Sequence, residues 1–418
     1  MYRRNAEPEV LSALADTRVV FIAGPRQCGK STLALALAAA GRDYLSLDDP
    51  AVLDAARTDP MAFVGRANTR PIIIDEVQRL PDLFPAIKRS VDLDPRPGRF
   101  LLTGSSNFLT LPSVSESLAG RIQVIQLGPL TQGELEGTRE GFLSTVFDTG
   151  QPDLASSSLT RDDYLGRAFS GGFPEVLERP THSRRNRWFS SYISSLIQRD
   201  LRDIANIEHA VAIPSLLRLL AARSGSLANA LDVSRDLGLP NTTLKRYLSL
   251  LEIIHLLVPL RPWSANLSTR LTRSPKFYLA DSGLTAHLVD ADLARVTQYP
   301  ELAGSILEAF AVSEIRRQLT WDEEQPGVFF FRTHTGAEVD VVLERRDGRV
   351  AAIEIKASSR LDRRDTRGLE FLREHLGTRF VRGIVLYTGQ QSLPLGDRLW
   401  AMPVDALWRW GAQPQVPK

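Results

Sequence analysis

Residues 24 to 31 read Gly-Pro-Arg-Gln-Cys-Gly-Lys-Ser, a Gly-x4-Gly-Lys-Ser spacing suited to holding phosphates. The glycines let backbone N–H groups wrap an anion at the opening of a helix. Lys30 brings an ammonium to the β and γ phosphates, and Ser31 offers a hydroxyl to Mg²⁺. Gly24, Pro25, Arg26, Gln27, Cys28, Gly29, Lys30, Ser31 and Thr32 are therefore the candidate nucleotide-binding residues, with ATP and Mg²⁺ as the expected ligands. A glycine turn without function is the plain alternative. Context argues against it, because a buried-looking strand, Val19–Ala23, precedes the motif and a helical run, Thr32–Ala40, follows it.

A second group of residues supplies what hydrolysis needs beyond a phosphate cradle. Ile72-Ile73-Ile74-Asp75-Glu76 is an apolar strand ending in two acids. Asp75 would join Ser31 in the Mg²⁺ shell, and Glu76 would polarise the attacking water. The next strand runs into Thr103-Gly104-Ser105-Ser106-Asn107, where Ser105, Ser106 and Asn107 compete for a sensor role against the γ-phosphate or its water. An ordinary Ser/Asn turn is the alternative for each of them. Ser117-Leu118-Ala119-Gly120-Arg121 precedes a further strand. Arg121 is a candidate arginine finger reaching the γ-phosphate of a neighbouring subunit, and a surface arginine at a strand edge is the simpler reading.

The third constellation lies near the C-terminus. Asp340 sits on a strand Glu338–Leu343, and Glu354-x-Lys356 sits on the next, Val350–Ala357, with Glu308 on a preceding helix as a further carboxylate. Asp340 and Glu354 would bind Mg²⁺, and Lys356 would orient a water or stabilise developing charge, a set suited to phosphodiester cleavage. Strand parity imposes a condition. A two-residue loop Asp347-Gly348 would set Asp340 opposite Ile355 and aim it away from Glu354, whereas a three-residue loop Arg346-Asp347-Gly348, with Gly348 left-handed, would set it opposite Glu354. Charges alternating on a half-exposed strand are the competing explanation.

The elements that must position these groups follow from periodicity. Strand candidates Arg18–Ala23, Tyr44–Leu47, Pro71–Ile74, Arg99–Leu102 and Ile122–Leu127 alternate with amphipathic stretches, the pattern of a parallel sheet covered by helices. Residues 141–163 are polar and Ser-rich and read as a mobile connection or lid; a long helix is expected from Arg184 to about Glu208. Further on, a short helix ends at Gly238, Asn241 can cap a second, and the second shows Thr243, Lys245 and Arg246 beside a Leu244/Leu248/Leu251 face. That is helix-turn-helix spacing, with a wing expected at Val258–Trp263. Lys245 and Arg246 would contact DNA phosphates, or the winged helix serves only for packing.

Composition sets the outer limits. The 418 residues suit two or three domains, and 43% hydrophobic with 24% charged residues are globular values. No apolar run approaches the ~20 residues of a membrane span. The single cysteine, Cys28, permits no internal disulfide, so a cytoplasmic protein is expected. A net charge of +2 neither demands nor excludes nucleic acid. Only six residues are lysines, two of them Lys30 and Lys356.

Taken together, GPRQCGKST, PIIIDEVQRLP, LLTGSSN and SLAGR resemble the prokaryotic AAA-type P-loop ATPases that carry a C-terminal domain of unknown function. Gly171-Gly172-Phe173-Pro174, Gln198-Arg199-Asp200, Lys276 through Leu284 and Glu338-Val339-Asp340 extend that resemblance over nearly the whole chain. The acid followed by Glu-x-Lys is similar to the restriction-endonuclease-like superfamily. The resemblance implies an α/β chain with a P-loop NTPase parallel sheet at 1–135, a helical lid or connection at 136–209, a winged-helix-like domain at 210–285 and an α/β restriction-endonuclease-like domain at 286–418. The expected activity is Mg-dependent ATP hydrolysis by a DNA-associated homo-oligomer, with a nuclease-like site. A nucleotide-gated switch or scaffold that binds protein partners and turns ATP over slowly is the alternative.

Overall fold

The structure, a computed structural model, describes residues 2–39, 41–105, 118–153, 155–198, 212–227, 230–264, 270, 274–333 and 336–415. Two compact units emerge: residues 1–130 with 253–256, and residues 131–252 with 257–418. The expected end of the ATPase core at 135 lies close to the first division, and the segments 136–209, 210–285 and 286–418 fall almost wholly in the second unit.

In the first unit, strands β1 (Val19–Ala23), β2 (Asp43–Ser46), β3 (Ile72–Asp75), β4 (Phe100–Gly104) and β5 (Ile122–Gln126) form one sheet in the order β2-β3-β4-β1-β5. Every pairing is parallel, and the strands begin and end within a residue or two of the sequence expectations. β1, β3 and β4 are buried along their full length. They read as apolar runs because both sheet faces are covered. One cover is the helix Leu83–Leu93, which buries Leu83, Phe84, Ile87 and Val91 at helical spacing. In a parallel sheet all C-terminal strand ends lie on one edge, so the loops after β1, β3 and β4 converge there.

The second unit is built on an eight-stranded mixed sheet. Two short strands, β6 (Thr138–Arg139) and β15 (Gln413–Pro414), pair apart from it. The large sheet has the order β13-β14-β12-β11-β10-β9-β7-β8, from β7 (Leu257–Pro262), β8 (Lys276–Leu279), β9 (Gly327–Arg332), β10 (Glu338–Glu344), β11 (Val350–Lys356), β12 (Phe380–Tyr387), β13 (Leu393–Gly396) and β14 (Leu399–Pro403). β7 and β8 pair antiparallel. β7 is not a free wing, however, because Arg261 and Pro262 pair in parallel with Phe329 and Phe330 of β9. The helix Pro300–Gln318 buries Ile306, Leu307, Phe310, Val312 and Ile315 in the same core.

One expectation about these segments needs correcting, and another reaches beyond the described residues. Residues 141–163 do not stand apart as a lid: Phe142, Leu143, Val146 and Phe147 belong to the core, and buried Ser157 donates to Asp405 Oδ2 at 2.6 Å. Abundant serines mask a few aromatic anchors that decide the packing. The long helix runs His182–Gln198 within the described residues, and its expected extension, with Arg199 and Asp200, lies outside them.

Candidate functional site

The phosphate loop joins β1 to the helix Lys30–Ala38, which buries Lys30, Leu33, Ala34 and Leu37 along one stripe. Gly24 is required by a close approach: a Cβ there would stand 2.0 Å from the Leu127 carbonyl oxygen. Cys28 donates its thiol to that same oxygen at 3.1 Å, which gives the lone cysteine a packing role. Gln27 is left-handed, with φ 58°, and Gly29, with φ 99°, caps the helix. Arg4, from the segment preceding the first helix, donates to Cys28 O and Gly128 O at 2.7 Å each and clamps the loop against the exit of β5. Lys30 Nζ donates to the Gly24 and Pro25 carbonyls at 3.0 and 2.9 Å. The ammonium is thus buried at the mouth of the loop where phosphates would compete for it.

Residues expected to share a cation are brought together. Ser31 Oγ donates to Asp75 Oδ1 at 3.0 Å, so a hydroxyl and a carboxylate meet at the end of β3 beside the phosphate loop. Hard oxygen donors of this kind fit Mg²⁺, which keeps most of its own waters and takes few protein ligands. Tyr44 on β2 donates to Asp75 Oδ2 at 2.7 Å, and Thr103 at the end of β4 donates to Asp75 Oδ1. Neither Tyr44 nor Thr103 was singled out by sequence reasoning. The available signal was a polar side chain near the C-terminal end of a strand flanking β3 or β1.

Glu76 follows Asp75 in the left-handed region, with φ 57° and ψ 44°, an uncommon conformation for a residue with a Cβ. Its N–H is held by Thr103 Oγ1 at 3.2 Å. Burial raises its carboxyl above the ordinary carboxylate range, opposed by the Lys30 ammonium and reinforced by Asp75 and Asp48. A raised carboxyl is a better proton acceptor. Gln78 donates to Glu76 Oε2 and to Ser105 Oγ, the latter at 2.9 Å. Of the three sensor candidates, Ser105 is buried and joined to Glu76 through Gln78; Ser106 and Asn107 lie outside the described residues.

Arg121 sits at the opposite end of the sheet from the loop. Its carbonyl accepts from Val19 N–H at the start of β1, whereas Lys30 follows the end of β1. Its guanidinium forms a two-pronged pair with Asp92, at 2.5 and 3.1 Å. No phosphate bound at Lys30 of the same chain is within its reach.

The C-terminal constellation is assembled across β10 and β11. Val341 faces Ile353, and Arg345 N–H donates to Arg349 O at 2.9 Å, which leaves a three-residue loop of Arg346, Asp347 and Gly348. Gly348 has φ 83°. Continuing this register sets Asp340 opposite Glu354. Asp340 Oδ2 accepts from Ile355 N–H at 2.9 Å, and Lys356 donates to Glu354 Oε1 at 2.8 Å.

A residue outside the expected set sits among these acids. Lys276 of β8, almost wholly buried, places its ammonium 2.9 Å from Glu338 Oε1, 3.1 Å from Glu308 Oε1 and 3.7 Å from Asp340 Oδ1. Tyr278 donates to Glu308 Oε1 at 2.6 Å. Burial works against the Lys276 ammonium, but Glu308, Asp340 and Glu338 outweigh it and raise its pKa. Burial first, and then Asp340, also push Glu354 and Glu308 well above the ordinary carboxylate range. Among the described residues no group of three or more His, Cys, Asp or Glu side chains is arranged to hold a metal ion. Lys276 already supplies a cation beside Asp340, while Glu354 Oε2 is buried without a partner, so the Mg²⁺ expected on Asp340 and Glu354 would find one oxygen unengaged and Lys276 as its competitor.

We expect Lys276→Met to destabilise the second unit by ~3 kcal/mol, because it strands three partly buried acids without their cation. Thermal unfolding measures this. Mg²⁺ or Mn²⁺ should restore part of the loss in the variant while leaving the parent unmoved.

Other motif segments have structural roles. Asp281 caps the helix Ser282–Leu288, accepts from Gly172 N–H at 2.8 Å and pairs with Arg317 at 3.0 Å. Arg317 also pairs with the fully buried Glu314 at 3.1 Å. This network ties the Gly171-Gly172-Phe173-Pro174 turn to the helix Pro300–Gln318. In the helix Asn241–Ile253, Leu244, Leu248 and Leu251 are buried and Lys245 and Arg246 exposed, as the spacing implied.

Comparison with known proteins places these features. Residues 16–136 match an AAA domain, residues 161–295 a domain of unknown function (DUF8612) and residues 303–407 another (DUF4143). Uncharacterized proteins of Mycobacterium tuberculosis and Mycobacterium bovis are each 30% identical over 414 residues, covering 98% of this chain and 85% of theirs. An uncharacterized Haemophilus influenzae protein is 24% identical over 225 residues, about half of either chain. Among solved structures, a Walker-type ATPase of Pyrococcus abyssi aligns with a TM-score of 0.44 at 14% identity, covering 69% of this chain and 96% of its own, a likeness too slight to argue from. No helix among the described residues is long and apolar enough to cross a membrane. With its P-loop sheet, AAA domain and near full-length match to the mycobacterial proteins, the chain belongs to their family of AAA-domain proteins with C-terminal regions of unknown function.

Proposed function

We propose that the protein is a Mg-dependent ATPase whose nucleotide state acts on a DNA-associated second unit. The observation that carries the first part is the convergence of Lys30, Ser31, Asp75, Glu76 and Ser105 at one sheet edge. Lys30 and the loop N–H groups take the phosphates, and Ser31 and Asp75 hold the cation. Glu76 accepts the proton of the attacking water. Mg²⁺, when bound, supplies charge neutralisation on the phosphate oxygens.

The part played by DNA rests on the exposed Lys245 and Arg246. For the C-terminal carboxylates, the buried Lys276 among Glu308, Glu338 and Asp340 favours a domain that keeps a nuclease-like arrangement as a binding or docking module over one that cuts. Phosphate release with and without duplex and single-stranded DNA, beside a Mg²⁺/Mn²⁺ nicking assay, separates these readings. DNA stimulation without nicking is expected. A rate indifferent to DNA favours the alternative, a nucleotide-gated scaffold for protein partners.

Arg121 is proposed to act across a subunit boundary, since its own chain keeps it a strand length from the loop. Turnover per chain should then rise with protein concentration, and Arg121→Ala should lose turnover but not ATP affinity. Concentration-independent turnover would sink the assembly idea.

A further inference from the structure

We propose that Gln78 is a positioning residue that couples the γ-phosphate contact at Ser105 to the base Glu76. The inference rests on the ATPase reading and adds a residue to it. Gln78 stands two positions beyond Glu76 in the single turn Val77–Arg79. Its carboxamide is half-buried and spans two loops. One contact goes to Glu76 Oε2 in the loop after β3, the other, at 2.9 Å, to Ser105 Oγ after β4. An amide nitrogen carries two hydrogens, so both donations can be made at once.

The surroundings fix this amide. The Gln78 carbonyl oxygen is buried with no hydrogen-bond partner, and it lies 2.9 Å from where a Cβ on Gly104 would stand. A Cβ at the end of β4 would push this amide aside, and Gly104 leaves it room. A buried amide oxygen without a partner carries a desolvation cost of ~1–3 kcal/mol. Such a cost is tolerated where the other end of the group does something, and here that end holds a carboxylate whose backbone is itself left-handed.

The chemical consequence follows from donor and acceptor counts. Because Ser105 Oγ accepts from Gln78, its own hydrogen is left to donate elsewhere, and it sits on the loop beside the phosphate cradle. A γ-phosphate that recruits the Ser105 hydroxyl strengthens Oγ as an acceptor and tightens the Gln78 contact. Tightening fixes the second N–H, and with it the orientation of Glu76. Loss of the γ-phosphate relaxes the same chain. The base is thereby set only when there is a bond to break.

The test is a set of variants read by ATP affinity and by single-turnover hydrolysis. Gln78→Ala should bind ATP within about twofold of the parent and hydrolyse it at least about tenfold more slowly. Gln78→Glu keeps the size of the side chain but donates nothing, and should be as slow. In a Ser105→Ala background, Gln78→Ala should add less than its effect alone, because one relay is already broken. Parent-like hydrolysis in either Gln78 variant, or full additivity with Ser105→Ala, overturns the relay. Lost ATP affinity in both Gln78 variants also overturns it, by showing that Gln78 merely builds the pocket. A parent protein without hydrolysis removes the ATPase reading and this inference together.

Discussion

Replacing Lys30 by alanine is expected to weaken ATP binding by at least about a hundredfold. Lys30 is the cation of the phosphate loop, and its buried ammonium is held by the Gly24 and Pro25 carbonyls. Phosphate oxygens are stronger acceptors than those carbonyls, so the ammonium exchanges them on binding. A hundredfold represents ~2.7 kcal/mol, which the attraction of the ammonium to charged phosphate oxygens in a buried loop must supply beyond the carbonyl contacts given up. Alanine also leaves two carbonyls without a donor, at a cost of about 1 kcal/mol each, so unfolding should be followed alongside nucleotide titration. Unchanged affinity in a folded variant would remove Lys30 from the site.

The second large effect belongs to Glu76. Glu76→Gln keeps shape and can still accept from Gln78, but it cannot take a proton. Turnover should fall by ~10²–10⁴-fold, the range for a lost general base, while ATP affinity stays close to the parent's. The sign of the pH effect supports the same assignment. Burial raises the Glu76 carboxyl, so the ionised base is lost as pH falls through a value above the usual carboxylate range. The acid limb of the rate profile should lie there. A Glu76→Gln protein that hydrolyses at the parent rate would mean that another residue positions the water.

What the sequence made legible is what short-range chemistry dictates. The phosphate loop, the acids after β3 and the five parallel strands all follow from local patterns of apolar runs and punctuating glycines. Parity left a two-residue and a three-residue loop at Gly348 both open, and the strand register selects the second. The neighbours supplied from a distance were hidden. Tyr44 and Thr103 reach Asp75 because a parallel sheet sets their strands beside β3, and no spacing along the chain encodes which strands lie side by side. Lys276 was hidden for the same reason: it lies in the segment assigned to the winged-helix-like domain at 210–285, yet β7 and β8 join the sheet that carries Asp340 and Glu354. A pair of acids with Glu-x-Lys reads as a metal site, and nothing in that motif encodes the lysine that a third strand delivers beside it.

The central claim is hydrolysis at the edge formed by β1, β3 and β4, and its most direct measurement is phosphate release from ATP by the purified chain with Mg²⁺ and with a chelator. Steady release that requires Mg²⁺ and disappears in Glu76→Gln is expected. ATP bound tightly with no release under either condition, or release that persists unchanged in Glu76→Gln, would contradict it.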